Sequence, residues 1–454
     1  MFKFFAWSTI GSLITILIQF SYSIIIARIV SPNDFGIAAI PLLIASIGRT
    51  VVDSGVGGAL IREHRVTKIH YSTVLRFSII TGIIISITLC LFSKNVSEFF
   101  NEPRMFIALI ITASTITVYS IQVPFNAFLI RSMNFRLRTF VLGLSAFFAA
   151  IISIYAATII DKVVALMIYP LINVVVSTVI LIFFFKKIIK SKLYSAVILK
   201  KYLAFGVNTS ISAFLLSLVD WTIQSLSYKY FGATILGNYA QAKKTSDLQL
   251  NLAKGNISNV LYSIISKNNS NVISRKNIDF GIGMYLFYVL VISIVLFLSE
   301  SLVTLFFGYK WIGMVPFFNV LLITSLILFA DSMIRMVYKV VDKTKLLLLS
   351  DSIKVIFLIS IIYLSIFFNL EFVSVLWLLA IGWGMSLLIS IYFVRNDLSG
   401  NFYDLISLLL PVIIIGFIVY LSFSSYLILL FAISILIFGL VNNFFKVLYN
   451  NLFK

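Results

Sequence analysis

Long apolar runs recur along this chain, and they restrict the folds it can adopt more strictly than any other feature. The run Ile79–Phe92 contains no charged residue, and 61% of the 454 residues are hydrophobic against 11% charged. Soluble domains do not have this composition, whereas about 20 consecutive apolar residues let a helix cross a bilayer. A transmembrane barrel would instead show short segments of alternating hydrophobicity. The sequence therefore predicts an all-α polytopic membrane protein.

The apolar runs divide into about fourteen segments that are long enough to span a membrane. The first, Phe4–Val30, is too long for a signal-peptide core and lacks a small-residue cleavage site, so we expect it to be retained as a helix. The predicted transmembrane helices lie at about 5–31, 35–60, 71–93, 105–130, 139–160, 163–185, 203–230, 236–265, 280–307, 316–338, 346–368, 372–394, 404–423 and 425–446.

Lysines and arginines are distributed unevenly over the loops of this topology. With a cytoplasmic N-terminus, 22 of the 35 basic residues fall on the inner side and 5 on the outer side, and the rest lie within spans. This split follows the positive-inside rule. The net charge of +19 therefore indicates topology and gives no reason to expect a nucleic-acid partner. Because the number of spans is even, both termini are predicted to be cytoplasmic.

The longest connection divides the chain into two similar halves. It runs from Lys186 to Lys201 and mixes cationic with apolar residues, which predicts an amphipathic helix at the cytoplasmic interface. Six helices precede it, and the sequence around Gly11 and Gly36 is weakly echoed around Gly206 and Gly237. We predict two six-helix bundles related by a pseudo-two-fold axis normal to the membrane. The expected parts are bundles at 1–185 and 203–394, a linker at 186–202 and an appended helix pair at 395–454.

The least apolar predicted span contains the segment Gly237–Ser258, whose polar side chains follow one face of a helix. If 236–265 did not cross the membrane, the later basic loops would move outside and the charge bias would largely collapse. We therefore expect it to cross, with its polar face in a wet cavity or the bundle interior. An extramembrane amphipathic helix is the alternative. The face consists of Tyr239, Lys243, Asp247, Asn251, Lys254 and Ser258.

Several other predicted helices carry polar residues at helical spacing. Any one such stripe is more typical of hydrogen bonding between helices, but ionisable residues inside a membrane indicate function. Phosphate is the natural ligand for a cavity with surplus positive charge, and Lys244 and Lys254 exceed the acids beside them. The stripe residues of interest are Gln19, Arg49, Asp53, Tyr119, Gln122, Asp220, Gln224, Asp331 and Arg335.

Depth and spacing separate the charged residues. Arg49–Asp53 and Lys243–Asp247 are each four residues apart, so each pair is able to form an ion pair within its own helix. We expect Arg335, Asp351 and Lys354 to snorkel, because they lie near cytoplasmic helix ends. No catalytic residues are predicted.

The potential metal ligands are few. His64 and His70 share one short loop without other ligand types arranged around them, and the single cysteine, Cys90, lies in an apolar run. No metal, disulfide or cofactor is predicted.

Two stretches resemble a known family. Residues 27–36, Ala-Arg-Ile-Val-Ser-Pro-Asn-Asp-Phe-Gly, are similar to the segment between the first two helices of Wzx-type polysaccharide flippases. Those flippases belong to the multidrug/oligosaccharidyl-lipid/polysaccharide exporter superfamily. Residues 53–61 look like the family's second helix ending, except that Ser54 replaces a usual apolar residue. Residues 205–206, 220 and 231–240 resemble its helix 7–8 region.

The resemblance implies movement of an undecaprenyl-pyrophosphate-linked oligosaccharide from the cytoplasmic to the outer leaflet of a bacterial inner membrane. The diphosphate or acidic sugars would then be bound by Arg49, Lys243, Lys244 and Lys254. Asp53, Asp220 and Asp247 would orient these cations or bind a coupling H⁺ or Na⁺. Polar lining is expected from Gln19, Tyr119, Gln122, Gln224, Tyr239 and Asn251. Further expected partners are membrane lipids, and a polymerase and chain-length regulator of the same pathway.

Two other functions stay open from the sequence. A drug or cation exporter shares the expected fold, but its cavity should be dominated by acids, whereas this one has a basic surplus. A membrane-embedded polymerase, ligase or glycosyltransferase should carry a sizeable outer loop. Here the first outer loop is only about Ser31–Asp34, and no catalytic constellation is assembled.

Overall fold

All regular structure in the described residues is helical. The computed structural model describes residues 2–63, 65–132, 134–185, 194–267, 275–340 and 344–394. The helices are α1 Phe2–Ile29, α2 Pro32–Asp53, α3 Val56–Arg62, α4 Lys68–Phe99, α5 Arg104–Arg131, α6 Phe135–Ile159, α7 Lys162–Phe184, α8 Ala196–Phe231, α9 Ala233–Lys267, α10 Arg275–Phe297, α11 Ser299–Phe307, α12 Val315–Val340, α13 Thr344–Phe367 and α14 Phe372–Val394, with a 3₁₀ turn at Tyr309–Met314 before α12. The all-α polytopic prediction is confirmed.

Among the described residues, eight helices are long and apolar enough to cross a membrane, and a bent pair makes a ninth candidate. The pair is α10 with α11, which meet at 68° where one straight span was predicted at 280–307. The predicted span 35–60 is likewise interrupted, between α2 and α3. The predicted spans 404–423 and 425–446 lie outside the described residues.

The start of α8 differs from the prediction. The helix begins at Ala196, seven residues before the predicted span, because the Ser195 side chain caps it by accepting a hydrogen bond from the Ile198 N–H at 3.4 Å. Lys201 also reaches back, with its Nζ 2.7 Å from Glu63 Oε2. The second part of the predicted interfacial linker is therefore continuous with α8. Residues 186–193 lie outside the described part of the chain.

The chain divides into two compact units, residues 1–240 and 241–454. In the first unit, apolar side chains of α2–α5 and α8 form a shared core that includes Val52, Leu60, Val74, Ile116 and Tyr202. In the second unit, α12 packs with α10, α13 and α14. The division into bundles at 1–185 and 203–394 stays a prediction.

Glycines let α2 approach α8 and the first turns of α9 at backbone distance. A Cβ added to Gly237, in the first turns of α9, would lie 1.7 Å from the Pro32 carbonyl oxygen at the start of α2. A Cβ added to Gly206 in α8 would lie 2.8 Å from the Cα of Gly55, just after α2 ends. Small residues at such crossings are typical of membrane helices. Two of the four glycines whose surroundings echo each other in sequence, Gly206 and Gly237, are thus at tight crossings with α2.

Candidate functional site

The break between α2 and α3, in the first unit, is stabilised by backbone conformation and by a capping side chain. Ser54 has φ 39° and Gly55 has φ 69°, so two consecutive residues are in the left-handed region that ends a helix. The new helix needs acceptors for its first N–H groups, and Asp53 Oδ1 accepts a hydrogen bond from the Gly57 N–H at 3.2 Å. The carboxylate of Asp53 thus caps α3.

Arg49 lies one turn before this break. Its guanidinium carbon is 5.8 Å from the centre of the Tyr119 ring on α5, which is within the range of a cation–π contact. The Nε atom is buried and has no hydrogen-bond partner among the described residues. No Arg49–Asp53 ion pair occurs among the described ion pairs, although the spacing allows one. Asp53 instead caps α3. The Nε donor of Arg49 has no acceptor among the described residues, and is thus available to a ligand.

The other predicted lining residues of the first unit occupy different surroundings. Gln122 is buried, and its Nε2 donates to α7, at 2.8 Å to the Val174 carbonyl and 2.6 Å to Ser177 Oγ. That placement fits helix–helix hydrogen bonding. Gln224 is buried, while Gln19 and Asp220 are partly buried.

The polar face of α9 changes its exposure along its length. Tyr239 is only 3% exposed, whereas Asn251 is exposed. Between them, Lys243 Nζ lies 4.0 Å from Asp247 Oδ2, so the expected pairing within the helix is formed at the limit of an ion pair. Lys244 is partly buried. The side chain of Lys254 lies outside the described part of the chain.

Buried polar atoms without a hydrogen-bond partner occur on three helices of the second unit. Among the described residues they include Gln249 Nε2 on α9, Tyr285 Oη on α10 and Asn319 Oδ1 on α12. Such groups are costly in a membrane interior unless something polar satisfies them. The second unit therefore has hydrogen-bonding capacity in the same helix that carries Lys243 and Lys244.

A cluster of four charged residues in the second unit, three of them buried, was not predicted. Lys354 Nζ lies 2.8 Å from Asp331 Oδ1 and 3.6 Å from Asp351 Oδ1, and Arg335 Nη1 lies 2.5 Å from Asp351 Oδ1. The expectation of snorkelling is wrong for Asp351 and Lys354, since the Lys354 side chain is 1% exposed and that of Asp351 0%. The Arg335 side chain is 21% exposed, so for this residue the expectation stays a prediction. Complementary pairs on two successive helices, Asp331/Arg335 and Asp351/Lys354, were the available signal.

The motif between the first two helices has a structural role at the end of the first unit where α2 begins. Ser31 caps α2, and its Oγ donates to Asp34 Oδ2 at 2.6 Å. Arg104 joins this turn to two others, with ion pairs of 2.9 Å to Asp34, 2.9 Å to Glu102 and 3.9 Å to Asp161. No metal-binding group of three or more His, Cys, Asp or Glu side chains occurs in the part of the chain that the structure describes.

Comparisons with known proteins agree with this architecture. A family model described as "Polysaccharide biosynthesis protein" matches residues 25–316, which is more than half of the chain. The chain is 21% identical over 404 residues to an "Uncharacterized membrane protein in cps region" of Klebsiella pneumoniae, with coverage of 87% of this chain and 82% of that protein.

A second relative and one solved structure are similar over much of their length. Lipopolysaccharide biosynthesis protein WzxC of Escherichia coli strain K12 is 22% identical over 336 residues, or 71% of this chain and 66% of that protein. The inward closed conformation of the lipid II flippase MurJ has a TM-score of 0.70 at 15% identity, and the match covers 98% of this chain and 99% of that one. At this identity the structural likeness shows the fold alone.

Proposed function

This chain belongs to the polysaccharide biosynthesis protein family, and from that membership we propose that it is a flippase for lipid-linked oligosaccharide. The substrate is an undecaprenyl-pyrophosphate-linked repeat unit of a surface polysaccharide, which moves from the cytoplasmic to the outer leaflet of a bacterial inner membrane. The name of WzxC and the fold that the chain shares with the lipid II flippase support this assignment.

Arg49 is the observation that carries the proposal. Its Nε atom is buried and has no hydrogen-bond partner among the described residues, which is costly inside a membrane protein unless an anion occupies that donor for part of the working cycle. Diphosphate suits it, because guanidinium presents a planar fork of N–H donors that binds two phosphate oxygens at once. Such charge-assisted hydrogen bonds contribute roughly 1.5–3 kcal/mol, or about ten- to one-hundred-fold in affinity.

The remaining groups of the proposed path divide by chemistry. Lys243 and Lys244 on α9, with Lys254 further along the helix, supply cations for the diphosphate or acidic sugars. Tyr119 offers an aromatic face for a sugar ring beside Arg49. We leave Gln122 out of the path, because α7 already accepts its amide hydrogen bonds.

Movement is proposed to follow alternating access of the two predicted six-helix bundles, with both termini in the cytoplasm. Asp53, Asp220 and Asp247 orient the cations or respond to a coupling ion. A polymerase and a chain-length regulator act on the delivered repeat units at the outer leaflet.

The test is complementation of a deletion strain, with two measurements on the same cells. Surface glycan is quantified, and lipid-linked intermediates are extracted and identified by mass spectrometry. Deletion should abolish display and accumulate an undecaprenyl-pyrophosphate-linked glycan, and Arg49→Glu should reproduce both effects at wild-type protein level. Arg65→Glu, an exposed arginine of the inner loop, is the matched control and should restore display. Full display by Arg49→Glu would refute the role of Arg49, and deletion without accumulation would refute the flippase assignment.

A further inference from the structure

The four charges of the second unit form a network in which Asp331 is the carboxylate with fewer cation contacts. Asp331 and Arg335 come from α12, and Asp351 and Lys354 come from α13. Asp351 is contacted by both cations, at 2.5 Å from Arg335 and 3.6 Å from Lys354. Among the described ion pairs, Asp331 has Lys354 as its one partner, at 2.8 Å. Loss of the charge on Asp331 would therefore leave Lys354 with a second carboxylate already within reach.

Holding two helices together with such a network has a high desolvation cost. Taking each ion out of water costs several kcal/mol, and well-packed apolar residues often serve equally well for stability. Counting from the ends of their helices, Asp331 lies nine residues and Lys354 ten residues inside, roughly 14–15 Å at 1.5 Å per residue. The side chains of Lys354 and Asp331 are only 1% and 8% exposed, and charges enclosed within a membrane protein indicate ion or proton pathways.

We propose that Asp331, held by Lys354, is a proton-binding site that couples the second unit to a proton gradient. A proton from water adds to the Asp331 carboxylate and forms a neutral carboxylic acid. The Lys354 ammonium then transfers to Asp351, and the network gains one positive charge. Release of the proton reverses both steps. This inference deepens the proposed flippase function and rests on it for its biological role.

The chemistry of the network favours a proton over a metal cation. The ammonium of Lys354 already fills the cation position beside Asp331, and the four charges sum to zero. A sodium ion would have to expel a buried lysine, whereas a proton needs no room of its own. The Arg335 side chain is 21% exposed, and so connects the buried network to the surface of the unit.

The network contains one carboxylate besides Asp331, namely Asp351, and both cations contact it. The network takes Lys354 and Asp351 from α13, and Asp331 and Arg335 from α12. From α14 the Trp383 ring lies 5.7 Å from Lys354 Nζ, and residues 372–394 contain no charged residue. From α10 the phenols Tyr285 and Tyr288 pack against Phe329 of α12, and the charged residues of that helix, Arg275, Lys276 and Asp279, lie in its first two turns. On α11, Glu300 is exposed.

The direct test is infrared difference spectroscopy of the full-length protein in lipid, between acidic and neutral buffer. A proton-binding carboxylate contributes a carboxylic acid C=O band in the acidic state. Asp331→Asn should lack one component of this band, and Glu300→Gln, the matched control, should keep it. Wild-type and Asp331→Asn spectra that are identical in this region would overturn the proposal.

The Asp331→Asn spectrum counts as a test only if this variant has the gel-filtration elution volume and the unfolding midpoint of the wild type. If it does not fold, Asp331→Asn with Lys354→Met replaces it, since this pair leaves no unpaired charge, and the same band must be missing. In the deletion strain, Asp331→Asn should lose glycan display. Glycan display at wild-type level by Asp331→Asn would overturn the proposed proton coupling through Asp331, and would leave the flippase assignment unaffected. If the wild-type protein shows the Asp331-dependent band but does not restore display in the deletion strain, the flippase assignment is overturned instead.

Discussion

Replacing Lys354 by methionine removes one charge from a pair that is almost fully enclosed. The two side chains are 1% and 8% exposed, and the atoms that pair lie 2.8 Å apart. Methionine keeps most of the volume, so the main loss is electrostatic. Asp331 is left as a buried carboxylate without its cation, and breaking such a pair costs about 3–5 kcal/mol. We expect Lys354→Met to lower the unfolding free energy by that amount.

The assay is denaturant or thermal unfolding of the purified protein in one detergent, followed by tryptophan fluorescence, since Trp383 lies beside Lys354. Lys94→Met is the control, because Lys94 and Glu98 form an exposed pair at 3.9 Å. Exposed pairs contribute at most about 1 kcal/mol, so this variant should unfold like the wild type.

A double variant separates the unpaired charge from the lost packing. Lys354→Met with Asp331→Leu removes both charges, and it should recover most of the stability lost by Lys354→Met alone. Two outcomes would refute the reasoning. One is a Lys354→Met protein as stable as the wild type, and the other is a double variant no more stable than the single one.

Two further predictions concern α2. Gly237→Ala should lower the melting temperature in detergent, because the added Cβ would lie 1.7 Å from the Pro32 carbonyl oxygen. Gly143→Ala is the control and should leave it unchanged, because its added Cβ would have nothing within 4 Å. Equal melting temperatures of the two variants would contradict the close crossing of α2 and α9. Asp53→Ala should cost about 1 kcal/mol, and Asp53→Asn, which still caps, should cost little. If Asp53→Asn melts normally but abolishes glycan display, Asp53 acts through its charge; normal display assigns it to capping alone.

The class of fold and most helix positions could be predicted because a membrane imposes length and polarity on each span. A charge-free run such as Ile79–Phe92 is compatible with few structures other than a membrane-spanning helix. The interruption after Asp53 was less visible, although Ser54, Gly55, Gly57 and Gly58 are typical of a turn. There the apolar residues on either side made one long span look continuous.

The partners of polar side chains could not be predicted from one helix at a time. Gln122 was assigned to a cavity by its position on a stripe, but α7 happens to present acceptors to it. Lys354 was placed near an interface by counting residues, yet its environment is set by Asp331, which lies 23 residues earlier on another helix. Which face of a helix meets which neighbour depends on tertiary packing, and one sequence does not contain that information directly.

The two glycine crossings have a mechanical consequence for Arg49. The helix α2 touches α9 at its first residues and α8 just beyond its last, and at both places backbone meets backbone with no side chain between them to yield. Close-packed contacts of this kind transmit displacement instead of absorbing it. Arg49 stands between them, about 20 Å from Gly36 at 1.5 Å per residue. Any tilt of α8, or of the first turns of α9, therefore displaces α2 and moves the Arg49 guanidinium with it.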